Sequence, residues 1–288
     1  MTVSFLQLLL NGVMAGAILT APAIGLTAIY AVLRFPNFAI ASHATIGAFA
    51  GYLANTALHL PLIPSALAAF LAAGLFGLGS DALLLRALRR DSLITATIAS
   101  VALTIALENL VRFAFGNSLR DYDLPIARDW QVGGLRVGPQ QVEDLLISAV
   151  AVAILFGFLH FTRLGKAMRA VADNPTLAAI KGIDANLIGH IVNFAAMGLA
   201  GLGGMLLGLD TSIDPLTGFR AILAIFAAAV VGGLGSIPGA VVGALAVGIA
   251  EEMSLLVLPP DYRTVVGFLA ILLVLTLRPR GILGARAW

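Results

Sequence analysis

Apolar runs, most of them close to the length of a membrane span, recur from one end of this sequence to the other. They cover positions 5–33, 38–57, 62–85, 92–115, 142–161, 187–209, 221–256 and 264–277. About 20 apolar residues in a helix cross the roughly 30 Å hydrocarbon core of a bilayer. No water is present there to satisfy backbone N–H and C=O groups, so only helices and closed barrels can span it. Barrel strands alternate apolar and polar residues, and these runs do not. The composition agrees. Of the 288 residues, 60% are hydrophobic and 11% charged, and the mean hydropathy is +1.00, far from the balance of a soluble domain. The expected fold class is all-α and integral to the membrane: a polytopic helical bundle of roughly eight to ten spans. A single transmembrane domain is expected over 1–288.

Two places set that range. Asn11, Gly12 and Pro22 allow the first run to break into two short helices. Residues 221–231 make only about 16 Å of helix at the standard rise, too short to span comfortably. Gly232, Gly233, Gly235, Pro238 and Gly239 then interrupt the block. A short crossing followed by a return helix, or a re-entrant pair, both fit. The stretch 116–141 is expected as an outer loop and 162–186 as an inner one.

The chain has no cysteine, hence no disulfide framework or thiolate metal site. Its net charge of +2 does not point to nucleic acid, because the basic residues stand scattered at the ends of runs rather than in one patch. The first run is too long for a cleaved leader and lacks a basic start, so it reads as retained membrane structure. Orientation follows from Lys and Arg, which are enriched in short cytoplasmic loops. Four groups (Arg34; Arg86, Arg89 and Arg90; Arg163, Lys166, Arg169 and Lys181; Arg278, Arg280 and Arg286) hold 11 of the 17 basic residues, and alternate crossings put all four on one side. The other side carries Asp121, Asp123, Asp129, Asp210, Asp214 and Asp261. The basic side, with the C-terminus, is expected to be cytoplasmic.

Within the inner loop, "GKAMRAVADNPTLAAIKGI" contains a short, bounded helix. Asn174 suits the N-cap and Pro175 the first helical position. Thr176, Leu177 and Ile180 continue the turn, Lys181 suits the negative C-terminal end, and Gly182 can take the left-handed stop. Two turns of helix are not stable alone in water, so either the rest of the chain or a partner holds them. Leu177 and Ile180 lie three residues apart on one face.

From "GKAMRAVADNP" onward the sequence "TLAAIKGIDANLIGHIVNFAAMGLAGLGGMLLG" resembles the signature loop and following helix of the branched-chain amino acid ABC transporter permeases. "FLQLLLNGVMAGAILTAPAIGLTAIYAVLRFPNFA", "GFRAILAIFAAAVVGGLGSIPGAVVGAL" and "YRTVVGFLAILLVLTLRPRGILG" resemble that family's opening helices, Gly-rich block and closing helix, in family order. The resemblance implies that the helix at 174–182 couples the chain to an ATPase. It also implies a second permease subunit, two cytoplasmic ABC ATPase subunits, a periplasmic substrate-binding protein, and a place in the bacterial cytoplasmic membrane. No cofactor is expected in this chain, ATP being bound by the partner subunits, and no G-x-x-x-x-G-K-[ST] phosphate loop is present. The substrate class implied is branched-chain or related amino acids. Urea, an amide or another small polar solute carried by the same kind of machine is the alternative, and an ion-coupled secondary transporter is the alternative from another class.

Transporters place their pathways at broken helices. The expected path residues are therefore Gly232, Gly233, Gly235, Ser236 and Pro238, with Asn37 and His43 in the segment after the first run. The bland alternative for the glycines is close helix packing. Glu108, an acid within an apolar run, is either a path residue or the i,i+4 partner of Arg112. Arg220 either steers a substrate carboxylate or anchors its helix at the interface, and His43 is either a packing residue or a proton relay. No catalytic or metal-ligating constellation is present. Glu251 and Glu252, adjacent on a helix, point about 100° apart and are not expected to meet at one atom. The topology is open to thiol labelling in intact cells. Asp123→Cys should react with an impermeant reagent added outside, and Asn174→Cys only after permeabilisation; the reverse pattern would invert the assignment.

Overall fold

The structure, a computed structural model, describes residues 2–124 and 128–284. Arg286, counted above among the basic residues, lies outside them, and the side chains of Arg90 and Asp261 are likewise not described. The chain runs through α1 (Thr2–Leu33), α2 (Ile40–Thr56) and α3 (Leu62–Ser80), which passes through a π-helical turn (Asp81–Leu85) into α4 (Arg86–Asp91). Next come α5 (Leu93–Phe115), a hairpin of β1 (Trp130–Val132) and β2 (Leu135–Val137), then α6 (Pro139–Phe161), α7 (Arg163–Asp173) and α8 (Pro175–Ile180). The order closes with α9 (Ala185–Asp210), α10 (Thr217–Gly232), α11 (Ile237–Ser254) and α12 (Arg263–Leu277). Among the described residues, six helices are long and apolar enough to cross a membrane: α1, α3 with its continuation, α5, α6, α9 and α11. Two shorter apolar helices, α10 and α12, join them. The protein is a multi-pass helical membrane protein.

The first run does not break in two. Its 32 residues form one helix with Pro22 inside it. The ring lies against Gly203 of α9, where a Cβ would collide with it, so a glycine in the neighbour makes room for the proline. A bundle interior tolerates such a residue because neighbouring helices and local adjustments satisfy the backbone group that the proline frees.

The buried centre is built from α1, α2 and α9. Helix α9 packs along α1, α2 and α3, and α1 packs along α11 as well. Glycines set these distances. A Cβ on Gly47 of α2 would meet the backbone of Gly201, one on Gly204 would meet the Ala44 carbonyl oxygen, and one on Gly16 would meet the Cα of Leu245. Lipid tails are as apolar as leucine, so helices in a membrane associate through close packing that small residues permit. The outer helices are inverted relative to a soluble protein. Ile94, Ile98 and Ile105 of α5, Leu146, Val150 and Ile154 of α6, and Leu269, Leu272 and Leu273 of α12 all face outward.

The described parts of the two connecting segments carry more structure than their sequences promise. In the outer one, Gly133 and Gly134 both have positive φ (61° and 86°), the geometry of a tight two-residue hairpin turn. The Gln7 side chain clamps that hairpin to the start of α1. Its Nε2 donates to the Arg136 carbonyl and its Oε1 accepts from the Arg136 N–H, each at 2.8 Å. Arg120 and Ile213 pair through their backbones, and the Tyr122 hydroxyl donates to the Ala48 carbonyl at 2.7 Å. Burial pushes the Tyr122 phenol above its ordinary pKa, and the Asp144 carboxylate nearby adds to the rise. In the inner segment, α7 forms ahead of α8 and buries Met168 and Val171 while Lys166 and Arg169 stay exposed.

The glycine contacts of the centre can be tested directly. Gly204→Ala should lower the thermal-unfolding midpoint of the detergent-purified chain, since overpacking costs about 1–3 kcal/mol. Gly157→Ala, whose new Cβ would meet no neighbouring atom within 4 Å, should leave the midpoint equal or higher. Matching midpoints for the two variants would mean that the approach of α2 to α9 is not what holds the bundle.

Candidate functional site

The helix directions give the bundle two chemically distinct ends. Arg34, Arg86, Arg89, α7, α8 and the α10–α11 turn lie at one end, while the hairpin, Asp144, Asp210 and the α11–α12 connection lie at the other.

At the basic end, α8 follows its local sequence signals. The Asn174 side chain accepts from the Leu177 N–H at 3.0 Å, Pro175 occupies the first turn, and Gly182 takes φ +82°. Ala178 is buried and fixes the helix to the bundle, whereas Leu177 (54% exposed) and Ile180 (76%) project outward with Thr176 and Lys181. Two exposed aliphatic side chains on a two-turn helix form a small contact face. From the same connection Asp184 caps α9, accepting from the Asn186 and Leu187 N–H groups. Nearby, Asp81 is fully buried and held by a bidentate pair with Arg89, with His190 Nδ1 at 3.7 Å.

The interrupted block is a tight turn at this basic end. Gly233 and Gly235 have φ of +110° and +94°. Gly232 lies against Gly239, the Ser236 hydroxyl accepts from the Gly239 N–H at 3.2 Å, and Pro238 sits in the first turn of α11. The terminal "RPRGILG" stretch then satisfies the end of α10: the Ile282 and Leu283 N–H groups donate to the Val231 and Gly232 carbonyls at 2.9 and 3.0 Å. Helix α10 therefore runs to the basic end and α11 returns from it.

The other expected path positions are engaged within the chain. Asn37 and His43 are both fully buried. The Asn37 Oδ1 accepts from the Ala39 N–H, while His43 Nδ1 donates to the Ala39 carbonyl at 2.7 Å and Nε2 lies 3.3 Å from the Ser80 hydroxyl. Glu108 pairs with Arg112 at 2.7 Å along α5. Arg220 forms a bidentate pair with Asp214, whose carboxylate also accepts from the Leu216 N–H at the start of α10.

At the acidic end the structure opens. A cavity of about 240 Å³ lies between α1, α9, α10, α11 and α12, with Asp210, Thr217, Arg220, Glu251 and Arg263 in its wall. A second of about 160 Å³ adds Asn11, Gln141, Asp144 and Glu252, and a third of about 440 Å³ extends to the hairpin. Asp210 borders all three. Of the expected path residues, Arg220 belongs to these walls and none of the others does. Glu251 and Glu252 do not meet at one atom, as their adjacent positions on one helix imply, but Arg263 of α12 bridges them, its Nε lying 3.6 Å from Glu251 and its Nη2 2.6 Å from Glu252. Asp144 differs from all of these. It is 1% exposed, and neither carboxylate oxygen finds a donor among the described residues.

Residues 8–275 match the family described as "Branched-chain amino acid transport system / permease component". The chain belongs to this permease family. It is 32% identical to the high-affinity branched-chain amino acid transport system permease protein LivH of Escherichia coli strain K12, over 97% of this chain and 96% of that protein. The corresponding protein BraD of Pseudomonas aeruginosa is also 32% identical, over the same shares of the two chains. LivH of Salmonella typhimurium is 31% identical over 97% of this chain and 96% of its own.

For a permease, the cavity at the acidic end is the feature that sequence reading missed. Asp144 stands one turn inside "PQQVEDLL", where a start-of-helix acid looks like an interfacial group. Asp210 looks like a loop residue but is the last residue of α9. The basic-end turn carries its own test. Gly233→Ala should lower stability and uptake more than Gly235→Ala. Both positions have positive φ, but only at Gly233 would the new Cβ also strike Gly284, at 2.6 Å from its Cα. Equal behaviour of the two would mean that docking of the terminal stretch is not what the turn serves.

Proposed function

We propose that this chain is the membrane-spanning permease subunit of an ABC importer that carries branched-chain or related amino acids across a bacterial cytoplasmic membrane. In this reading a second permease subunit completes the channel, a periplasmic binding protein delivers the substrate to the acidic end, and two ATPase subunits dock at the basic end. The C-terminus is then cytoplasmic, the whole of 1–288 acts as one transmembrane domain, and ATP is bound by the partners rather than by this chain. Similarity to LivH and BraD along nearly the full length of both proteins supports the transport role. The observation that carries the assembly is α8: a capped two-turn helix, pinned from below by Ala178, that leaves Leu177 and Ile180 facing away from its own bundle.

Substitution of α8 tests this reading. Leu177→Asp sets a charge into the contact, and an unpaired charge at a buried interface costs on the order of 3 kcal/mol or more. The ATPase should no longer co-purify with the variant, which remains folded and in the membrane because Leu177 makes little contact with its own chain. Asn174→Ala should weaken the association by about 1 kcal/mol, the loss of one cap. Full co-purification and uptake with Leu177→Asp would make α8 a connector and remove the basis for the docking assignment.

A further inference from the structure

The acidic-end cavity contains acidic side chains that its own ion pairs do not engage. The walls of the two smaller chambers carry Asp144, Asp210, Glu251 and Glu252 against two guanidiniums, Arg220 and Arg263. Arg220 is already held by Asp214, and Arg263 by both glutamates. That leaves Asp144 and Asp210 without a salt bridge among the described residues. Asp144 is the sharper case, because its carboxylate is buried, accepts nothing and lines the cavity with Asp210, Asn11 and Gln141. An isolated carboxylate inside a membrane protein is costly, and an intramembrane acid with no partner marks a place where a partner arrives.

The geometry points to a binding subsite for a primary ammonium group, with Asp144 as its counter-ion and Asp210, Asn11 and Gln141 around it. Three features select this ligand. Four carboxylates to two guanidiniums make the walls net acidic, which disfavours an anion. Among the described residues, no group of three or more His, Cys, Asp or Glu side chains is arranged to hold a metal ion. An ammonium offers three N–H donors and suits a mixed wall of carboxylate and amide oxygens. The neighbouring chamber, with Ile18, Leu19, Ala221 and Ala224 in its wall, supplies apolar surface for the rest of the solute. The subsite takes its purpose from the importer reading above. It narrows that reading to solutes bearing an amino group, which urea and simple amides lack in charged form.

The test uses the full chain in lipid nanodiscs and titration calorimetry with 3-methylbutylamine, which keeps the ammonium and side chain of leucine, and with 4-methylpentanoate, which keeps the carboxylate instead. The amine should bind the wild type. Its affinity should fall by about tenfold or more in Asp144→Asn, the scale of a lost charge-assisted hydrogen bond. Glu143→Gln removes the same charge from the adjacent, exposed position and should bind the amine as wild type does. The carboxylate probe should be indifferent to Asp144→Asn. Asparagine replaces the buried carboxyl with an amide of equal size, so folding is not threatened, and thermal midpoints verify it. Amine binding that is absent in wild type, unchanged in Asp144→Asn, or displaced by sodium at equal concentration overturns the subsite. Uptake of labelled L-leucine by the assembled importer is read separately. Wild-type uptake together with amine binding that ignores Asp144 overturns the subsite alone. Amine binding that needs Asp144, without leucine uptake by the wild type, overturns the importer reading and leaves the ammonium site standing.

Discussion

The structure depends on backbones that touch. A soluble bundle is driven together by removing apolar surface from water, but no such drive acts between helices already in lipid. What remains is dispersion between closely fitted surfaces and the polar contacts that close approach allows. Gly47 against Gly201, Gly204 against the Ala44 carbonyl, and Gly248 against Gly16 are where this chain achieves that approach. Leucines at these places would add apolar area and yet force the helices apart. The same logic explains why the outward faces of α5, α6 and α12 need no pattern beyond being apolar, and why Pro22 is harmless where Gly203 receives its ring.

A centre built this way has rigid parts and seams. Helices α1, α2 and α9 are locked by glycine contacts, whereas α6 and α12 are held with fewer buried residues. The acidic cavity lies on the seam between the two sets, bordered by α1, α9 and the α11 that glycines lock to α1 on one side, and by α6 and α12 on the other. The exposed α8 connects through the Asp184 cap to the start of α9, and α9 ends in Asp210 at the cavity. A helix of 26 residues is about 39 Å long at the standard rise, so the two candidate sites are opposite ends of one lever. Helix α8 packs against α7 as well as α9, so a force applied at α8 reaches the helix that carries the cavity wall together with α7.

Those parts of the fold that depend on local rules were readable from the sequence. Apolar runs marked the long helices, because span length is set by the bilayer rather than by the neighbours. Asn174, Pro175 and Gly182 marked α8, because capping is decided within a few residues. Parts that depend on which helices meet were not readable. The Gly232–Gly235 interruption reads equally as a cavity lining or a turn, and only the return of Ile282 and Leu283 to the α10 carbonyls distinguishes them. Helix α7 was hidden because its polar face outweighs the buried Met168 and Val171. Glu251 and Glu252 were read from their own helix, and what unites them is an arginine that enters from another.

The charges inside this bundle fall into two kinds, and the difference bears on function. Asp81 with Arg89, Glu108 with Arg112, Asp214 with Arg220, and the two glutamates with Arg263 each hold an opposite charge within hydrogen-bonding or ion-pair range. The largely buried Asp81–Arg89 pair is expensive to break, since removing one member strands the other, whereas the Asp214–Arg220 pair, with its arginine exposed, is screened by solvent and contributes little. Among the described residues Asp144 has no such partner, and it gains nothing for the fold by being an acid. Replacement by a neutral residue of the same shape would relieve the bundle of an uncompensated group. A residue that works against stability at the edge of a polar cavity is placed there for something that enters the cavity. Burial then serves recognition: with water excluded from its oxygens, Asp144 has most to gain from the first cation that reaches it.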